Sequence, residues 1–381
     1  MRILVPGTGV AGLALAVELT ARGHEVSLIE RAAEFRTGGT PIDIRGDALG
    51  VVARLGLLPR VREHRVDASE RGVFVDAHGA TVAPLPVEQV GDSDDDIEIT
   101  RDDLARILVD ALPPGVPIRF GDSVVALDEN EDGGRVDVGF LSGHRESFDL
   151  VLGADGLHSA VRRLVFGPEA DCVRHLGVHL GIAHVTDDAA GNTGGAGDTP
   201  SEFCNYPGHM AGFMRFKGET LALLAFRAGP IDHDHHDLAA QRRIVAEAFA
   251  GHTEWEIPRL LGAVRRDPAF YFDAISQIHL PAWHRGRVAL VGDAAYCASP
   301  LSGRGTSLAL TGAAFLAEAL DRHPGDHTAA FEEYAARQRP YVEFAQASVD
   351  EGAGIVVPDS WEAIRARNEA LGGAEAVESV R

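Results

Sequence analysis

The chain has 381 residues, 45% apolar and 24% charged, with 57 acidic against 35 basic side chains and a formal charge of −22. That length and apolar content bury a large core, enough for two subdomains. The acidic balance excludes nucleic acid and anionic membrane surfaces as partners, because phosphate binding needs a concentrated positive field.

The first thirty residues are a βαβ unit. "RILVP" is a short buried strand, "GTGVAG" a turn, "LALAVELTAR" a helix ending at Gly23, and "EVSLIE" a second strand. Gly7 permits the tight turn, Gly9 lets the backbone approach a pyrophosphate, and Gly12 lets the helix pack closely on the strand. The helix N-terminus adds free N–H groups and the positive end of a dipole. Glu30 ends the second strand, where a carboxylate accepts hydrogen bonds from a ribose diol. The alternative is a glycine turn that only saves space, and the acid at the expected distance argues against it. The apolar start resembles a secretion signal, but Gly7, Gly9 and Gly12 interrupt it and Glu18 follows, which marks folded structure.

Further along, "RGVFVDAHGATVAPLP" forms a hairpin across His78-Gly79, and "QVGDSDDDIEIT" is an acidic connector into a strand. Thr100 caps a helix carrying Leu104, Ile107, Leu108 and Leu112. "FDLVLGADG" is a continuous apolar run that suits a central buried strand. From about 171 to 275 the texture becomes that of antiparallel strands, "VHLGIAHV", "GFMRFKG", "TLALLAFRA" and "FYFDAIS", interrupted by the Gly-rich "DDAAGNTGGAGDTPS". "VALVGD" returns to the buried-strand texture, and two helices, 305–323 and 327–352, finish the chain.

With "GTGVAG…LIER", "DLVLGADGLHSAVRR" and "ALVGDAAYCASPLSGRGTS" in this order, the whole chain resembles the class A flavoprotein monooxygenases. These single-component aromatic hydroxylases have the p-hydroxybenzoate hydroxylase fold, and the size here is closest to the tetracycline-inactivating and small aromatic-hydroxylase members. The implied fold class is α/β: a Rossmann-like FAD-binding domain (1–70, 97–170 and 276–381, with the C-terminal helices) and an inserted antiparallel substrate domain (71–96 and 171–275). The resemblance implies FAD with its pyrophosphate at Gly7, Gly9 and Gly12, its ribose on Glu30 and its adenine flanked by Arg31. It places Asp155 in the second nucleotide motif with Arg162 nearby, Arg101 at the FAD phosphates or ribityl chain, and Asp293 at the ribityl or pyrophosphate part. Pro300, Gly303, Gly305, Thr306 and Ser307 would hold the pyrimidine edge of the flavin, where a helix N-terminus stabilises reduced-flavin charge. Arg45 would lie by the flavin ring as the one candidate catalytic side chain. The sequence departs from the family at Tyr296, Ser302, Arg304 and Ser307, which leaves backbone contacts intact and puts redox tuning in doubt.

The implied reaction uses NADPH or NADH as a transient electron donor and O₂, through a C4a-hydroperoxyflavin, to hydroxylate an aromatic or polyketide-like small molecule. Baeyer–Villiger oxygenation, and a redox-silent cyclase or flavin-binding protein, are the alternatives. The candidate substrate lining is Phe203, Asn205, Met210, Phe213, Met214, Arg215 and Phe226, with His179 or Tyr206 as a base; a strand lets only alternate residues face one side, and such residues also serve as core. "DHDHHD", with His233, His235 and His236, fits no structural zinc spacing, so no metal is expected. Three scattered cysteines and no bilayer-length apolar run point to a cytoplasmic enzyme, monomeric or homodimeric, with no stable membrane insertion.

Overall fold

The computed structural model describes residues 1–35, 39–67, 72–85, 93, 95–129, 134–186, 199–235 and 237–378. Strands buried on both faces must be apolar throughout, and three short apolar runs, Val288–Leu290, Leu150–Gly153 and Arg2–Pro6, lie side by side. Val288–Leu290, Leu150–Gly153, Arg2–Pro6, Glu25–Glu30 and Ile118–Phe120 form a parallel sheet in that order, edged by the antiparallel strand His284–Arg285. Leu4 pairs with Val151 on one side and Ser27 on the other. The helix Val10–Ala21 is buried from Ala11 to Leu19 because it lies between this sheet and the helix Gly305–Arg322, which accounts for its lack of a polar face. Thr100 caps the helix Arg101–Asp110 as its sequence predicts, accepting from the Asp103 N–H at 3.1 Å.

The second body is a seven-stranded sheet in the order Tyr271–Ile278, Val173–His184, Glu219–Arg227, His209–Phe216, Glu202–Tyr206, Val73–Val75 and Thr81–Pro84. Side chains alternate between its faces. One face, with Cys204, Tyr206, Phe213, Phe226 and Phe272, is covered by the helices Leu238–Ala248 and Ile257–Arg266. The other, with Phe74, Val178, Phe203, Met210 and Leu223, packs against Leu301 and against Val357 and Leu371 near the C-terminus.

Three readings change. The two helices Leu238–Ala248 and Ile257–Arg266 stand where strands and loop were expected; the Asp237 side chain caps the first by accepting from the Ala240 N–H at 2.9 Å. The last predicted helix breaks at Ser348 into His327–Ala347 and Val349–Val356, and a further helix, Trp361–Glu378, follows Pro358. Most of the Gly-rich stretch of the second body, 187–198, lies outside the described residues, as does His236. Among the described residues, no helix is long and apolar enough to cross a membrane.

Candidate active site

Two close approaches make glycine obligatory in the first turn. Gly7 adopts φ 103°, and a Cβ there would stand 2.2 Å from the carbonyl oxygen of Ala154; a Cβ on Gly12 would stand 2.0 Å from the carbonyl oxygen of Gly7. Gly9 is different. No described atom lies within 4 Å of its Cβ position, and it forms the N-cap of Val10–Ala21 without a side-chain cap, so the helix N-terminus opens onto free space. Glu30 closes the turn from the neighbouring strand: its carboxylate accepts from the Thr8 N–H (3.1 Å), the Thr8 hydroxyl (2.9 Å) and the Ala32 N–H (2.9 Å). Arg31 beside it is exposed.

Asp155 is anchored within its own motif. It accepts from the Ser159 hydroxyl at 2.5 Å and from the N–H groups of Ala160 and Val161 at 2.8 and 3.1 Å. Burial raises its pKa, and these hydrogen bonds oppose the rise. Arg162 is wholly buried, donating to the carbonyls of Ala294 and Leu157 and to Glu169. It braces the second motif against the Asp293 turn and does not reach outward to a phosphate.

The third motif runs from the strand Val288–Leu290 through Gly292, at φ 65°, into the short helix Asp293–Tyr296. Ser299 is held at φ 87°, outside the usual range for a residue with a side chain; its hydroxyl accepts from the Leu301 N–H and its carbonyl accepts from the Ser302 hydroxyl. One turn of 3₁₀ helix, Pro300–Ser302, then leads through Gly303, at φ 59°, to Gly305–Arg322. That long helix starts with no side-chain cap among the described residues, so the N–H groups of Gly305, Thr306 and Ser307 face the same side with the dipole behind them. Arg45 joins the loop from the end of Pro41–Ile44: its N–H donates to the Ser307 hydroxyl (2.9 Å), its guanidinium to Asp43 (2.8 Å), and its side chain lies along Gly303.

Asp293 is reachable by solvent yet crowded by protein; burial raises its carboxyl pKa and the nearby charge of Arg101 pulls it down. Tyr271, 45% exposed on the edge strand, feels the same Arg101, and burial again raises its pKa. Arg101, from the helix Arg101–Asp110, therefore lies within electrostatic reach of both Asp293 and Tyr271, which come from two other elements. Sequence reasoning did not single out Tyr271, because only the fold shows that it is exposed on its strand while the neighbouring Phe272 is buried.

The FAD binding domain family matches residues 1–179. A flavin-dependent monooxygenase of Legionella longbeachae is 36% identical over 359 residues, covering 91% of this chain and 87% of its own. The chain belongs to the FAD-dependent monooxygenases. A Mycobacterium tuberculosis protein described only as uncharacterized is 41% identical to this monooxygenase over 354 residues, 90% of each. The crystal structure of the tetracycline destructase Tet(51) matches it with a TM-score of 0.83 and 32% identity over 97% of this chain and 95% of that one.

The monooxygenase's own residues fit FAD. The open space at Gly9, the helix starts at Val10 and Gly305 without side-chain caps, and the carboxylates of Glu30 and Asp293 match a pyrophosphate, a flavin pyrimidine edge and sugar hydroxyls in their chemistry. Two departures from the family have structural reasons. Tyr296 points into the core, where its hydroxyl is hydrogen-bonded to that of Tyr334 at 3.1 Å, and Tyr334 donates to the Leu290 carbonyl at 3.0 Å. The Arg304 guanidinium stacks 4.6 Å from the centre of the Phe344 ring on His327–Ala347.

The candidate substrate lining divides by face. Phe203, Met210 and Met214 pack in the cluster that includes Leu301 of the Pro300–Ser302 turn, and Asn205 shares that face, its side chain bonded to the Val356 carbonyl and to Arg367. Phe213 and Phe226 are corrections: they point to the helix-covered side. Arg215 goes with them, bonded to the Pro200 carbonyl and Glu202 and stacked on Phe213. Neither suggested base faces Leu301, since Tyr206 and His179 lie on the helix-covered face and His179 is sandwiched between Phe226 and Phe272.

Proposed function

We propose that this monooxygenase takes electrons from NADH or NADPH and hydroxylates an aromatic or polyketide-like small molecule with O₂. The observation that carries the reading is the packing of Leu301 onto the sheet face of Phe203, Met210 and Met214. It sets the flavin-loop turn directly against an apolar face suited to flat rings. The likeness to a tetracycline destructase supports a fused-ring substrate. The division of labour follows the two bodies: 1–70, 97–170 and 276–381 hold the cofactor, and 71–96 and 171–275 hold the substrate.

FAD, when bound, supplies the redox chemistry of O₂ and the oxygen transfer. The chain's own residues do the rest. Gly7, Gly9 and Gly12 admit the pyrophosphate, while Glu30, Asp293 and Arg101 take the sugar and ribityl parts. Arg31, Asp155 and Pro300 frame these contacts. The N–H groups at Gly305, Thr306 and Ser307, with Arg45 and Gly303, present positive potential where the reduced ring carries negative charge. The sheet face excludes water and orients the substrate.

Anaerobic mixing of the yellow protein with NADH or NADPH, with and without a panel of phenols and polyketides, tests the reading through decay of the flavin absorption band. Acceleration by one class of compound supports hydroxylation and names that class. A flavin that neither nucleotide reduces under any condition overturns it in favour of a redox-silent cyclase or binding protein, and a ketone converted to an ester identifies Baeyer–Villiger oxygenation.

A further inference from the structure

Three segments distant in sequence converge outside the glycine motifs. His158 lies in the turn after Leu150–Gly153, Asp273 on the strand Tyr271–Ile278, and His235 in the loop before Leu238–Ala248. One ligand atom from each lies within 4.8 Å of the other two. His158 Nε2 is 3.0 Å from Asp273 Oδ2, and the His158 and His235 rings are 3.9 Å apart. We propose that His158, His235 and Asp273 form a divalent transition-metal site, with two imidazole nitrogens and one carboxylate oxygen as ligands and the remaining position left to water.

The surroundings are those of a built site. Glu169 accepts from His158 Nδ1 at 2.9 Å, which aims Nε2 at the other two ligands, and the buried Arg162 holds Glu169 in turn at 2.8 Å. An imidazole oriented by a carboxylate is the usual outer support of a histidine ligand. Asp273 is held by the Ala274 N–H at 2.7 Å, and Gln241 fixes the His235 backbone by donating to its carbonyl at 2.9 Å. Ligand atoms on one ion stand roughly 3–3.5 Å apart. The His158–Asp273 pair already meets that spacing at 3.0 Å, and the exposed His235 lies within 4.8 Å of both. The mixed nitrogen and oxygen set suits Zn(II), Co(II) or Ni(II) better than Ca(II) or Mg(II). On binding, the proton on His158 Nε2 leaves to solvent and the metal–nitrogen bond replaces the hydrogen bond to Asp273. The ion would tie His235 to His158 of the first body and Asp273 of the second. His233 is not part of the set, because no ligand atom of it joins the cluster in which the atoms of His158, His235 and Asp273 lie within 4.8 Å of one another.

The test uses untagged, FAD-loaded protein, stripped with a chelator and titrated with Co(II) and then Zn(II). Bound metal is counted after desalting, and the visible Co(II) spectrum reports the ligand set. About one equivalent per chain is expected. His235→Ala should weaken binding at least about tenfold and Glu169→Gln about 10–100-fold, whereas His233→Ala should leave it unchanged. Because His235 is exposed, its variant keeps the flavin spectrum and the circular dichroism as fold controls. Absence of stoichiometric binding, or binding undiminished in folded His235→Ala protein, overturns the proposal.

Discussion

The backbone N–H of Arg45 donates to the Ser307 hydroxyl across 2.9 Å, joining the end of a strand to the first turn of a helix 262 residues later. Ser307→Ala leaves that buried donor without its acceptor, at an expected cost of about 1–3 kcal/mol. A lower urea midpoint and weaker FAD retention should appear together. A variant as stable and as yellow as the parent would remove Ser307 from the frame of the flavin loop.

Gly9 and Gly12 separate folding from cofactor binding. A Cβ on Gly12 collides with backbone, whereas one on Gly9 enters only the open space. Gly12→Ala is therefore expected to lose soluble, folded protein. Gly9→Ala should fold with a nearly unchanged far-UV spectrum and lose FAD on gel filtration. If Gly9→Ala retains its flavin, the pyrophosphate does not lie there.

The two faces of the seven-stranded sheet should respond differently to truncation. Phe226 is buried in the helix-covered cluster, so Phe226→Ala should cost about 3–5 kcal/mol of stability, with little change in substrate KM for the folded fraction. Met214, only partly buried on the opposite face, should do the reverse: Met214→Ala raises KM or changes the preferred substrate at small cost in stability. Equal effects on KM would show that the substrate does not use this face.

His179 makes the fold acid-sensitive. Burial, with the neighbouring His175 and His233, lowers its pKa from 6.5 to about 4, and neither ring nitrogen has a hydrogen-bond partner among the described residues. The unfolded chain therefore binds a proton that the native state refuses between those values. This contribution is complete above pH 6.5 and is lost as pH falls toward 4. His179→Phe should flatten that part of the stability–pH curve, as measured by urea unfolding at pH 7.5 and pH 5. An unchanged slope would assign the acid sensitivity to other groups.

Local signals reached far into this protein because nucleotide-binding turns are local physics. The first βαβ unit, the Thr100 cap and the apolar strands at 150–153 and 288–290 follow from spacing, glycine and burial alone. The helices Leu238–Ala248 and Ile257–Arg266 were not recognised, because strands on both sides set the expectation for the segment between them.

The sequence by itself determined the cofactor class, since three motifs must each build a turn that accepts a phosphate or a flavin edge, and those demands lie within a few residues of each other. Only the tertiary structure decided which residues of the seven-stranded sheet face the Pro300–Gly303 turn. A strand's alternation defines two faces but not which one a distant loop covers, and here Leu301 covers the face of Met210 and leaves that of Phe226 to the helices. For the same reason no spacing rule could bring His158, His235 and Asp273 together: their meeting depends on how the two sheets pack.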